Sequence, residues 1–176
     1  MNEIDCIAVS SGPGSFTGLR IGAALAKGIC YENQPKFIAV PTLEAVAYSL
    51  LDIAKNSNTN QILTLSKSHK NFYYYQILDL EAKAKSEIVF TELEKIKIDN
   101  ISQTFICGNF EEDELLSFFK TNGFTETEKA TKQRKGIFPC DIAKLAYKMY
   151  LDENFIKSEE FTPIYVQDFQ IKTNKK

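Results

Sequence analysis

The chain has 176 residues, 44% of them apolar and 25% charged, with a formal net charge of -2. That length holds one ordinary domain or two small lobes that share a core. The slightly acidic balance argues against a chain that grips nucleic acid alone, because phosphate contacts need clustered Lys and Arg; a link to RNA is expected to run through a partner.

In chain order, Ile4 to Ser10 reads as a short apolar strand of the kind buried on both faces of a parallel sheet. The turn Gly12-Pro13-Gly14 ends it, and the spacing predicts a helix from Gly18 to Tyr31, with Pro35 beyond its end. Phe37 to Val40 is a second buried strand. Pro41-Thr42 opens another helix, with Thr42 as the expected N-cap and Leu43, Val46, Ala47, Leu50, Leu51 and Ala54 as its buried stripe. Strand, helix, strand, helix is a right-handed crossover unit, so the fold class is α/β.

The polar break 56–60 is the expected lobe boundary, dividing the chain into 1–56 and 57–176. Beyond it, Gln61 to Ser66, Phe72 to Leu80 and Glu87 to Thr91 predict an antiparallel meander around a Ser68-His69-Lys70 turn. Thr104 to Gly108 is a further strand. Glu111 to Glu114 place negative charge on the first turn of a helix, where the macrodipole favours it, and Gly123 is the expected stop. Pro139 and Asp141 open a last helix with Ile142, Leu145, Ala146 and Met149 on one face.

Two features of the first unit carry chemistry. The residues Ser11, Gly12, Pro13, Gly14, Ser15 and Thr17 lie between a strand end and a helix start, where backbone amides and the helix dipole can hold an anion. The spacing meets neither familiar phosphate motif. Leu19-Arg20, not Lys followed by Ser or Thr, comes after Gly18, and Thr17 stands where a dinucleotide fingerprint needs its third glycine. A nucleotide loop and a structural turn therefore both stay open. Next, Gly18, Gly22 and Ala26 repeat every four residues as a stripe without bulky side chains, with Leu19 beside it. Such a stripe admits a closely approaching helix, and either this chain's own core or another protein can supply the neighbour.

Other features point away from catalysis. Cys6, Cys30, Cys107 and Cys140 contain no CxxC pair and read as buried thiols in a reducing compartment. No apolar run reaches spanning length, and Met1 to Glu3 leads into a strand rather than a leader, so a cytoplasmic location is expected. His69, the single histidine, sits in a turn, and a zincin needs two on one helical face. Tyr73-Tyr74-Tyr75 alternates across a strand, and the tail lysines Lys172, Lys175 and Lys176 read as solvated.

The run from Ser10 to Gly22 (Ser-Ser-Gly-Pro-Gly-Ser-Phe-Thr-Gly-Leu-Arg-Ile-Gly), followed by Ala26-Lys27-Gly28 and Ala39-Val40-Pro41-Thr42-Leu43, resembles the TsaB (YeaZ) family. The likeness is weaker downstream. Ser66 to Tyr73 stands where the family has an Asp-Ala-Arg turn and an acidic residue, and Gln167 stands where Arg is common. The family also begins with an Asp-containing hairpin and a helix before this signature, so an amino-terminally truncated form with an incomplete first lobe and an open sheet edge is expected.

The resemblance implies the two-lobed actin-like fold shared by sugar kinases and Hsp70 (the ASKHA group, ribonuclease H-like). It implies a non-catalytic partner of TsaD, which forms N6-threonylcarbamoyladenosine at position 37 of tRNAs, with the ATPase TsaE joining the assembly. Contact with tRNA is then indirect, homodimers are possible, and ATP enters only through partners, with no cofactor, metal or catalytic residue of its own. The pairing surface is implied to use Gly18, Leu19, Gly22 and Ala26. An older glycoprotease label attaches to the family, and the lone His69 argues against peptidase activity.

Overall fold

The computed structural model describes residues 4–33, 35–122 and 136–166. Strand β1 (Cys6–Gly12) is followed by helix α1 (Phe16–Asn33), strand β2 (Lys36–Pro41), and helices α2 (Thr42–Ser49) and α3 (Leu51–Lys55). Strands β3 (Gln61–Lys67), β4 (Phe72–Leu78), β5 (Val89–Glu92) and β6 (Thr104–Asn109) come next, then helices α4 (Glu112–Thr121) and α5 (Pro139–Leu151). Among the described residues no helix is long and apolar enough to cross a membrane.

Two sheets result. β1 and β2 pair in parallel, as the crossover through α1 requires, with Cys6 facing Lys36 and Ala8 facing Ile38. The larger sheet has the order β5-β4-β3-β6. The expected meander is present as the antiparallel ladders β3–β4 and β4–β5, and β6 returns parallel to β3 on the other side. Gly108 makes that return possible. It has φ 126° opposite Leu65, and a Cβ there would lie 1.8 Å from the Leu65 carbonyl oxygen.

Several boundaries differ from the sequence expectation, each for a local reason. α1 begins at Phe16, not Gly18, because Ser15 caps it: the Gly18 N–H donates to Ser15 Oγ at 3.2 Å, and the Leu19 N–H donates to the Ser15 carbonyl at 2.8 Å. Pro41, not Thr42, holds the cap position of α2. Thr42 is helical, and its hydroxyl shares a 2.6 Å hydrogen bond with Ser10 Oγ, tying the start of α2 to β1. The stripe from Leu43 to Ala54 is split between two helices, since Leu50 (φ -117°) interrupts the turn. At α5, Asp141 is fully buried and accepts from the Phe138 N–H at 3.0 Å, satisfying a helix-end donor. Gly123 and the tail beyond Val166, including Gln167 and the three lysines, lie outside the described residues.

The packing crosses chain order. α2 and α3 cover the larger sheet with Val46, Ala47, Leu50 and Ala54 against Ile62, Leu78 and Phe105. On its other face, Leu63, Leu65 and Tyr73 pack with Phe110, Leu115 and Phe118. The small sheet lies between α1, which buries Ala23, Ala26 and Cys30, and α5, which buries Leu145 and Ala146 against Ile38 and Val40. The segment after α5 runs back beside β2, where the Ile156 N–H donates to the Phe37 carbonyl at 3.0 Å, and seats Phe161 under α1. Residues 139–166 thus pack against the sheet made by the first residues of the chain.

Candidate functional site

β1 delivers the Gly-rich turn to the mouth of a cleft between the two sheets. Gly12 adopts φ 104°, and a Cβ there would lie 3.0 Å from the Ile164 carbonyl oxygen and 3.2 Å from Leu19 Cδ1, so only glycine fits. The peptide between Gly12 and Pro13 is cis. Ser11 is buried, and its Oγ has no hydrogen-bond partner among the described residues. Gly14 and Ser15 then line one wall of the cleft, about 430 Å³ in volume. Ser66, Lys67, Tyr74 and Asn109 face them from the ends of β3, β4 and β6.

The electrostatics of that wall are already satisfied from within. Lys67 Nζ donates to both Glu114 oxygens at 2.9 Å, and the Tyr73 hydroxyl donates to the same carboxylate. Burial works against the Glu114 charge, but the Tyr73 and Lys67 hydrogen bonds outweigh it and hold the carboxyl below its ordinary value. Burial, followed by the Glu114 hydrogen bond, pushes the Tyr73 phenol up. The cation closest to the loop in sequence, Arg20, also has other work. Its guanidinium lies 3.9 Å from the Phe16 ring centre and 5.8 Å from that of Tyr165, and its Nε donates to the Tyr165 hydroxyl at 3.4 Å. It fastens the returning segment to α1.

Sequence reasoning missed both long-range polar contacts, for Glu114 lies 41 positions from Tyr73 and Tyr165 lies 145 from Arg20. The remaining candidates are placed simply. Thr17 and Ser15 are exposed, and Pro13 is buried. His69 is exposed in its turn and stacks on Phe72 with ring centres 5.3 Å apart. Cys30 and Cys107 are buried, Cys6 is half-buried and Cys140 is exposed. Among the described residues no group of three His, Cys, Asp or Glu side chains could hold a metal ion.

The small-residue stripe resolves into separate positions. Leu19 and Ala26 are buried inside this chain's own core. Gly22 is half-buried against β1, where a Cβ would stand 3.5 Å from Val9 Cγ2, and Gly18 is exposed. On the far side of α1 lies a second apolar stripe that the glycine pattern masked: Ile21, Ala24, Leu25 and Gly28, at the i, i+3, i+4, i+7 spacing, all exposed. Ile21 is 63% and Leu25 65% accessible, with Tyr31 at 81% in the same helix. A helix apolar on two opposite sides is built to be covered on both.

The two sheets, the crossover through α1 and the Gly-rich turn at the cleft define a protein of the actin-like ASKHA class. YeaZ from Pseudomonas aeruginosa has this fold, with a TM-score of 0.70 at 18% identity over 93% of this chain and 75% of that one. The sequence model described as "TsaD: tRNA N6-adenosine threonylcarbamoyltransferase" matches residues 1–97. The chain is 24% identical to the tRNA threonylcarbamoyladenosine biosynthesis protein TsaB of Haemophilus influenzae, over 96% of its own length and 72% of that protein's. It is 38% identical to TsaB of Buchnera aphidicola over 43% of its length and 34% of that protein's. The chain belongs to this threonylcarbamoyltransferase family, on its TsaB/YeaZ branch.

Proposed function

We propose that the chain is a non-catalytic partner subunit, which binds a TsaD-type transferase and supports formation of N6-threonylcarbamoyladenosine at position 37 of tRNAs. The observation that carries this reading is the outward stripe of α1, Ile21, Ala24, Leu25 and Gly28, which is apolar, uncharged and uncovered among the described residues. Gly18 and Gly22 flank it and let a partner helix come close. The cleft supports the same reading, since Lys67, which lines it together with Gly14 and Ser15, is paired with Glu114. In this scheme TsaE joins the assembly, and tRNA touches the chain only indirectly. The test is to express the chain in cells lacking their own TsaB-type protein and to measure the modified nucleoside in bulk tRNA by mass spectrometry. Restoration by the natural chain and its loss in Leu25→Asp support the proposal; no restoration by the natural chain overturns it.

A second reading, a nucleotide-binding enzyme of the actin-like class, rests on the 430 Å³ cleft beside Gly14 and Ser15. Calorimetry with ATP and ADP on the natural chain and on Gly14→Val separates the two: heat that Gly14→Val abolishes favours the enzyme reading.

A further inference from the structure

The larger sheet changes character along its length. On the face that α2 and α3 cover, the row Leu78–Ile62–Phe105 across β4, β3 and β6 is apolar and closed. Next on the same face comes Gln76–Thr64–Cys107, and after it Tyr74–Ser66–Asn109, which lies in the cleft opposite Gly14 and Ser15. Residues paired in register point to one face of a sheet, so the Tyr74 and Ser66 hydroxyls and the Asn109 amide belong to the same wall.

These groups have no use inside the chain. Ser66 is only 5% accessible, yet among the described residues its hydroxyl has no hydrogen-bond partner, and neither do the Tyr74 hydroxyl and the Asn109 side chain. Behind them Gln76 Oε1 is buried and also without a partner among the described residues. Polar groups withdrawn from water and left unpaired are costly, and a ligand that pairs them recovers that cost. Charge is not what the row offers. Lys67 is the one charged side chain among the described residues lining the cleft, and both Glu114 oxygens already accept from it at 2.9 Å. The rest of the lining is partly aromatic, with Phe16 on the α1 side and Tyr74 on the sheet, the latter propped by Phe90 at a ring-centre distance of 4.7 Å. A cavity of about 430 Å³ with aromatic walls and a few neutral hydrogen-bonding groups has the form of a small-molecule site.

We propose that the cleft binds an uncharged nucleoside, its base against the Phe16 and Tyr74 rings and its ribose hydroxyls on Ser66 and Asn109. A flat base offers a π face to those rings. A ribose diol both donates and accepts, as do a serine hydroxyl and an asparagine amide, so the two sets satisfy one another. Phosphates add nothing to this binding, because the lysine that could meet them is held by Glu114. The inference therefore parts from the nucleotide-binding enzyme of the second reading. It is also independent of the partner-subunit reading, which rests on the outward stripe of α1.

Calorimetric titration of the full chain with adenosine, guanosine, cytidine and uridine, each beside its 5′-triphosphate, tests it. At least one nucleoside is expected to bind, and its triphosphate to bind no more tightly. The 2′,3′-dideoxy form of that nucleoside is expected to bind at least ~10-fold more weakly, because it leaves the hydroxyl-binding groups unpaired. Ser66→Ala and Asn109→Ala are each expected to weaken the same nucleoside about 10-fold at an unchanged melting temperature, and either variant suffices should the other fail to fold. No heat from any of the four nucleosides at millimolar concentration overturns the proposal. So does a triphosphate that binds more tightly than its nucleoside, or binding that the dideoxy form and both variants leave unchanged.

Discussion

The larger sheet and the small sheet of this protein are built from similar residues but finish their packing in different ways. The larger one is sealed on both faces, by α2 and α3 on one side and by α4 with its aromatic residues on the other, and its strands β3 and β6 are buried almost throughout. The small one has helices on both faces too, yet β1 is only half-buried over Cys6 to Ser10, and α1 presents Ile21 and Leu25 to solvent. Residues that stabilise this molecule and residues that serve association are therefore expected to separate by sheet. Substitutions in the larger sheet should cost stability. Substitutions on the open side of the small sheet should cost little stability and much binding.

The largest stability effect is expected at Gly108. Gly108→Ala forces a Cβ into the Leu65 carbonyl, 1.8 Å away, at a φ that L-residues rarely adopt. The β3–β6 ladder cannot survive it, and a loss of more than ~4 kcal/mol should appear in urea unfolding. Phe118→Ala comes next: the ring is fully buried, and removing it should cost ~3–5 kcal/mol in the same assay.

A smaller effect is expected from Glu114 and depends on pH. Because its folded pKa is held below the unfolded value of 4.5, its contribution is fully present above that value and is lost as pH falls through the folded pKa. Urea midpoints measured from pH 7 down to pH 3 should fall for the natural chain, and the fall should be shallower in Glu114→Gln. Equal slopes would remove Glu114 from the account. Thiol labelling sharpens the contrast without any mutation. Cys140 is exposed and should react first, while Cys107, whose thiol burial pushes up to about 12, should react only on unfolding. The smallest stability effect belongs to Leu25→Ala, which should stay within ~0.5 kcal/mol of the natural chain.

Much of this was legible in the residues. Short apolar runs bounded by Gly, Pro and polar breaks located every strand of the two sheets to within two or three residues, because burial on both faces demands unbroken apolar character. The strand, helix, strand, helix order of the first residues gave the α/β class, and the actin-like fold came from the family resemblance carried by Ser10 to Gly22. Pairing order was harder. Nothing in the pattern of Thr104 to Gly108 says that it returns parallel beside β3, and the glycine that allows it is recognisable only once Leu65 stands opposite. The site was legible in part for a related reason. Gly18, Gly22 and Ala26 drew attention to α1, but a stripe of small residues is equally at home against the chain's own sheet, where Ala26 lies and Gly22 touches Val9. The outward stripe needed the inward one to be placed first.

The most direct test of the account is the binding of this chain to a TsaD-type transferase, measured by biolayer interferometry for the natural chain and for Leu25→Asp. The account expects the natural chain to bind and Leu25→Asp to bind at least ~10-fold more weakly, about 1.4 kcal/mol, with an unchanged melting temperature. Equal affinity of the two would contradict it, for the outward face of α1 would then have no part in the contact.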